Sequence, residues 1–434
     1  MKTAWSFLIG LILLFPPSKA QNNEQENQLV MNLQMRPRAE YRNGALIPRS
    51  SDDEAAAFIN NRTRLSLTYV TKGLSMGLSA QNAGVWGQEA QVSRTANVSI
   101  YEAWAQLSNS TGYFLKAGRQ VLAYDDERIL GALDWNTAGR SHDGVKTGFE
   151  NKEHKLHLML AYNQNTENIN GGTYYSAGAQ PYKTMQTIWY QFTGSEKFKP
   201  SLLFMNLGIE NGNSTFRHSE LAYMQTLGTH IVGKPSKETG IALSAYYQTG
   251  KAKSGETISA WMMALQGNWA LNSKLTLTAG SDFLSGEENV NNNTTYNAFN
   301  PLYGTHHKFY GSMDYFYASQ FNGNLNPGLW DSYFGIGLKP SKKLSLSAVY
   351  HYFAITSDIN NTSGTDPLLK KGLGSEIDLQ LDWNLRNDVR LSCGYSTMLG
   401  TSSMDRVKGG DHTTWQDWGW ISINFNPRIL SHKF

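Results

Sequence analysis

Apolar and polar residues alternate along most of this chain with a period of two. From Leu29 to Arg42, one register carries Leu29, Met31, Leu33, Met35, Ala39 and Tyr41. The other carries Asn32, Gln34, Arg36, Arg38, Glu40 and Arg42. Such a period places each set on its own face of a β-strand. Leu65, Leu67 and Tyr69 repeat the pattern beside Arg62 and Arg64. Later, Leu344, Leu346, Ala348, Tyr350 and Tyr352 oppose Ser345, Ser347 and His351. Ile377, Leu379, Leu381 and Trp383 oppose Glu376, Asp378, Gln380 and Asp382.

Two kinds of connection separate these segments and tend to alternate. Short ones often carry lysine, as at Lys72-Gly73, Asn272-Ser273-Lys274 and Pro340-Ser341-Lys342-Lys343. Long ones, rich in Asn, Gly, Ser and Asp, cover residues 43–57, 122–142, 163–183, 356–373 and 400–414. Segregated loop lengths of this kind build an outer-membrane barrel. A soluble sandwich has no reason for them. With both chain ends in the periplasm, the strand number is even. Counting residues 309–317 as a strand would make 340–343 an extracellular loop, against its short, lysine-bearing chemistry. That segment is therefore assigned to one long extracellular or in-folded loop over 286–327, leaving about 18 strands. The expected fold is all-β: a transmembrane antiparallel β-barrel over residues 21–434, with short periplasmic turns and long extracellular loops.

The N-terminus addresses the chain to that compartment. Lys2 precedes an apolar run from Trp5 to Phe15, broken by Pro16 and Pro17, with Ser18-Lys19-Ala20 at the cleavage positions. This predicts a signal peptide over residues 1–20, cut between Ala20 and Gln21. The run is too short to serve as a membrane anchor. The terminal aromatic Phe434 is common in barrels recognised by the assembly machinery.

Energetics fix which face is which. An outward Arg or Lys near the bilayer midplane costs about 2–4 kcal/mol. The basic side of the first two strands must therefore face an aqueous lumen, and the apolar side lipid. Trp261, Trp383, Tyr350, Tyr352, Trp418 and Tyr395 are candidates for interfacial girdles. Lys and Arg number 38 against 35 Asp and Glu, so overall charge says little. The single cysteine, Cys393, reads as a small hydrophobe on an apolar face.

Charge distribution says more. Inward Arg36, Arg38 and Arg42 on one strand and Arg62 and Arg64 on the next make a positive ladder. Lys146 lies farther round on a predicted inward position. Arg119, Arg128 and Arg140 flank or lie in the loop after the fifth strand. Strict alternation points Arg119 outward, which suggests a bulge or a rim position. Glu376, Asp378 and Asp382 line a strand two places before the last. Basic and acidic walls would set up a transverse field that filters solutes by charge. Guanidinium groups favour carboxylates through two-pronged geometry. Alternatively, the arginines pair with Glu40, Glu102 and the acidic strand and merely stiffen the wall.

Enzymatic signals are missing. No nucleophile elbow, phosphate loop or zinc motif occurs, and no inferred outward Ser–His pair would suit a membrane lipase. His306-His307 lacks a third ligand at a convincing spacing and reads as solvated. His154 and His157 fall on opposite strand faces. No catalytic residue, metal or cofactor is expected.

Several segments resemble one family. They are Arg36-Pro37-Arg38, Glu40-Tyr41-Arg42-Asn43-Gly44, Asn61-Arg62-Thr63-Arg64, Lys116-Ala117-Gly118-Arg119-Gln120, Asp126-Glu127-Arg128-Ile129-Leu130-Gly131, Asp134-Trp135, Gly139-Arg140-Ser141-His142-Asp143-Gly144 and Phe299-Asn300-Pro301-Leu302-Tyr303-Gly304-Thr305. Together they resemble the alginate-export family of outer-membrane porins, most of all its Bacteroidetes branch. The resemblance implies an 18-strand barrel with an arginine-lined conduit, and carries over to Arg36, Arg38, Arg62, Arg64, Arg119, Arg128 and Arg140. The expected function is a channel for anionic solutes, with alginate-like uronate saccharide as one candidate. A non-transporting barrel, hydrolytic or adhesive, is the alternative. Expected partners are outer-membrane lipid, an anionic saccharide or small anion, and the barrel-assembly machinery, with no nucleic acid among them.

Overall fold

The structure, a computed structural model, describes residues 27–94, 97–167, 169–170, 181–210, 220–288, 295–361 and 367–434. The expected signal peptide and its cleavage site lie outside these residues. The strands in the first half are β1 Gln28–Asn43, β2 Ala56–Thr71, β3 Leu74–Val85, β4 Ser99–Ser108, β5 Tyr113–Gln120, β6 His142–Glu150, β7 His154–Tyr162, β8 Thr184–Phe192, β9 Phe198–Glu210 and β10 Leu221–Gly233. Those in the second half are β11 Thr239–Lys251, β12 Thr257–Ala270, β13 Leu275–Leu284, β14 Thr295–Tyr296, β15 Leu329–Leu338, β16 Leu344–Ala354, β17 Gly372–Arg386, β18 Val389–Gly400, β19 Gln416–Phe425 and β20 Arg428–Lys433.

Sequential strands pair antiparallel, and β19 returns to β1, with Arg38 opposite Ser422 and Asn43 opposite Asp417. The result is a closed barrel of 18 strands. The other two elements do not add to the wall. β20 continues the line of β19 and pairs with the start of β1. β14 lies inside the long loop and pairs parallel with β12 for two residues. Closure leaves no strand edge, so each ladder group has a partner without water. As the turn chemistry required, residues 309–317 form no strand. The connection between β11 and β12, residues 252–256, is as short as the turns at the opposite end.

Faces follow the period of two. Leu33, Met35, Tyr41, Leu65, Leu202, Phe204, Met263, Leu265, Ile377 and Leu379 are exposed on the outside. Trp261, Trp383, Tyr350, Tyr352 and Tyr395 join them. Trp418 does not. It is buried inside the lumen, 1% exposed, because exposed Ile421 sets the outward register of β19. Trp418 therefore shares the inner face with Trp420 and Ser422.

The interior departs from a uniformly polar wall. From β7 to β12 the inner face carries Met159, Met185, Leu203, Met205, Leu207, Met224 and Met262, all buried. They belong to one cluster with Leu122, Tyr124, Ile129, Leu130, Phe299 and Tyr303. Those partners come from two connections that fold into the barrel, residues 121–141 and the described parts, 285–288 and 295–328, of the long one between β13 and β15. An in-folded loop brings its own apolar side chains, and these need an apolar wall. Flexible methionine suits that irregular contact.

Candidate functional site in the lumen

The two in-folded loops meet along a short parallel bridge. Tyr303 N–H donates to Ile129 O at 3.0 Å, and Gly131 N–H to Tyr303 O at 2.9 Å. Thr305 N–H donates to Glu127 O at 2.8 Å. Gly304 allows this approach, since a Cβ there would sit 2.2 Å from Arg128 O. Non-glycine residues with positive φ gather in the same loops: Asp125, Glu127, Leu133, Leu302, Tyr310, Asp314 and Tyr317. Among the described residues only Leu46 shares that feature elsewhere. Such strain persists where surrounding contacts over-determine the backbone.

Two stretches of the wall, β1–β2 and, three strands round from β1, β17, hold the loops by opposite chemistry. The arginine ladder takes backbone carbonyls of the first loop. Arg36 Nη2 donates to Asp134 O at 2.8 Å and Asn136 O at 3.3 Å. Arg38 Nη1 donates to Trp135 O at 2.9 Å. Arg64 Nη2 reaches Ala138 O at 3.4 Å, and its guanidinium lies 3.5 Å from the Tyr101 ring centroid. The acidic wall takes backbone N–H groups of the second loop. Glu376 Oε1 accepts from Met313 at 2.8 Å, and Asp378 Oδ2 from Ser312 at 3.3 Å. Gly311, at φ 86°, makes room, because a Cβ there would lie 2.7 Å from Glu376 Oε2.

Trp135 joins the two halves. Arg38 stacks over it at 4.0 Å, His307 lies parallel at 4.1 Å, and Trp420 and Trp418 meet it edge-on. His307 is thus no solvated loop residue: it is stacked and paired with Asp314 at 2.9 Å.

The thirteen candidate residues fall into distinct settings. Arg38 and Arg42 pair with Glu40 at 2.8 and 2.7 Å, while Arg36 and Arg62 pair with Asp134 at 3.2 and 2.7 Å. Among the described residues, no ion pair joins the ladder to Glu102 or to the acidic strand. Burial alone would raise the Asp134 pKa, but Arg62 and Arg36 outweigh it and hold the carboxyl below its ordinary value. Arg128 lies inside the packed loops. It donates to Asp282 at 2.7 and 3.0 Å and to Asp126 at 2.8 Å, with Phe309 stacked at 3.9 Å. That enclosure removes it from the solute path. Arg140 Nη1 donates to Gly304 O at 2.9 Å and to Tyr303 O, tying loop to loop.

Arg119 lies off the lumen. It shares the outward register of exposed Tyr113 and pairs across the strands with Asp143 at 3.0 Å, near the long-loop rim. No register shift occurs between β5 and β6, so the rim position, and not a bulge, accounts for it. Lys146 lies inward opposite Lys116, both half-buried. Glu102 accepts from Val121 N–H at 3.4 Å, next to a register shift between β3 and β4. Asp382 stays on the wall, accepting from Gln380 at 2.8 Å and Ser392 at 2.5 Å.

Several contributors are new. Asp282 and Asp331 are each the sole charged residue of their strands, β13 and β15, and that isolation is a signal in the sequence. His351 bridges Asp331 at 2.9 Å and Asp378 at 3.5 Å. Beneath the second loop, Phe309, Tyr310, Tyr333, His351, Asp378 and Gln380 bound part of a cavity of about 380 Å³.

A closed barrel with an apolar exterior, a charged lumen and in-folded loops defines an outer-membrane channel. The family described as alginate export matches residues 27–399, and this chain belongs to it. It is a porin-type transport barrel of the outer membrane, not an enzyme. None of the curated proteins matches the chain. Solved structures share the fold. Acinetobacter baumannii OccAB1 aligns with a TM-score of 0.63 at 11% identity, covering 93% of this chain and 97% of its own. Pseudomonas aeruginosa outer membrane protein OpdK aligns at 0.60 and 12%, covering 94% and 99%. The structure of OpdK with vanillate aligns at 0.59 and 10%, covering 93% and 99%.

Proposed function

We propose that this channel passes anionic solutes, carboxylated saccharides among them, along the arginine wall of β1 and β2. One observation carries the reading. Arg36, Arg38, Arg42, Arg62 and Arg64 have only the carboxylates of Glu40 and Asp134 as ion-pair partners among the described residues. Positive charge is therefore in excess on that wall. Farther round the wall, on β17, β15 and β13, the balance differs. Glu376, held by the second loop, Asp282, capped by Arg128 of the first, and Asp331, paired with His351, are buried at 0–1% exposure. Of the ladder, Arg62 and Arg38 are also buried, at 1% and 6%, while Arg36, Arg42 and Arg64 keep partial exposure, and these three carry the positive charge a solute meets first.

Uncompensated guanidinium groups in a confined space raise the local concentration of anions. They also match a carboxylate geometrically. Vanillate, which appears with OpdK, is itself a carboxylate. The arginines also hold the first loop, so anchoring and selection share the same side chains.

The test is single-channel recording with soluble oligogalacturonate. The expected result is concentration-dependent block that weakens at high salt. Equal block by a neutral oligosaccharide of the same length would contradict the reading.

A further inference from the structure

We propose that Asp134 occupies, as part of the protein's own chain, the carboxylate-binding position of the Arg36–Arg62 pair, and that a passing anionic solute displaces it. The proposal rests on the functional reading above and deepens it.

The geometry is that of a bound ligand. One carboxylate oxygen of Asp134 meets Arg62 Nη2 at 2.7 Å, and the other meets Arg36 Nη1 at 3.2 Å. Each guanidinium gives it one nitrogen, not the two of a fork-to-fork contact. The Asp134 side chain is 61% exposed and has room to leave, while Arg36 is 14% and Arg62 1% exposed beneath it, so a solute gains the arginine pair only as this carboxylate moves off. Contrast Asp282, which takes two nitrogens of Arg128 with its side chain 1% exposed. That pair is locked. The Asp134 pair is open on one side.

Holding the loop does not depend on this carboxylate. The segment is tied by its backbone: Asp134 O, Trp135 O and Asn136 O accept from Arg36 or Arg38, and Ala138 O accepts from Gln81 at 2.8 Å. The side chain is thus free to swing aside while its loop stays.

A tethered carboxylate competes with any solute at a high effective concentration. Conduction requires sites that bind enough to admit and little enough to release. Asp134 meets the second need. It re-forms its pair as the solute leaves, so that a strongly basic wall does not hold its cargo. It is a specificity-setting residue that acts by competition.

The experiment compares Asp134→Asn with Asp382→Asn in planar bilayers, using trigalacturonate as the probe. Both variants remove one negative charge from the lumen, so both shift reversal potential toward anions. Only Asp134→Asn frees the arginine pair, and trigalacturonate dwell time lengthens about tenfold. An equal lengthening in both variants, or none in Asp134→Asn, overturns the proposal while wild-type block still stands. Absence of block in the wild type would instead defeat the functional reading. Asp134→Ser serves as a second variant, and heat-modifiable gel mobility reports assembly. If neither variant assembles, the carboxylate is structural and the proposal falls.

Discussion

Arg128 and Asp282 meet at two points, Nη1 to Oδ2 at 2.7 Å and Nη2 to Oδ1 at 3.0 Å, with both side chains shut off from solvent. They lie 154 residues apart in the chain. Their pairing fixes the first in-folded loop to the wall of β13. Burial works against the Arg128 charge, but the Asp282 and Asp126 carboxylates outweigh it, and its pKa stands well above the ordinary value. Removing one partner of a buried pair costs about 3–5 kcal/mol, because the other charge stays buried alone. Arg128→Ala is expected to undock the loop and give larger, noisier conductance. Arg128→Met with Asp282→Leu removes both charges and is expected to restore quieter channels. Identical conductance in all three proteins would show that the loop does not shape the pore.

The Asp134 pair sets a pH prediction. Its folded pKa lies below the ordinary 3.8, so ionisation is favoured in the folded state. The stabilisation is present above about 3.8 and is lost as pH falls through the lowered value. The difference in reversal potential between wild type and Asp134→Asn is therefore expected to hold constant from about pH 8 to pH 5 and to shrink below about pH 4. A difference that fades between pH 8 and 5 would contradict the assignment.

Face assignment is testable from outside. Leu379 is exposed on β17 between inward Asp378 and Gln380. Leu379→Arg places a charge against lipid at a cost of about 2–4 kcal/mol near the midplane. Assembly, read as heat-modifiable mobility, is expected to fall. Gln380→Arg, one residue away but facing the lumen, is expected to assemble normally. Equal assembly of the two would reverse the faces.

How much of this was legible in the sequence differs by feature. Strand faces were, because the penalty for an outward arginine exceeds any competing preference. The in-folded loop around Tyr310 and Met313 was legible indirectly, through the chemistry of the turn at Pro340. Trp418 was misread as an interfacial residue, although Ile421 and Ile423 already set the register that turns it inward. The fate of Arg128 was not legible. A loop arginine looks free until the fold brings a carboxylate from 154 residues away. The division of labour between Arg36 and Arg119 was partly legible, since alternation had pointed Arg119 outward. What periodicity cannot show is where a loop folds back. The apolar inner face of β7 to β12 exists only because of that.

The measurement that tests the central claim most directly is the zero-current potential of single channels under a KCl gradient, for wild type and for the variant with Arg36, Arg38, Arg62 and Arg64 changed to Ala. Wild type is expected to prefer chloride, and the variant to shift toward potassium, with both effects weakening as salt rises. A non-conducting wild type, or a wild type and variant with the same potential, would contradict it.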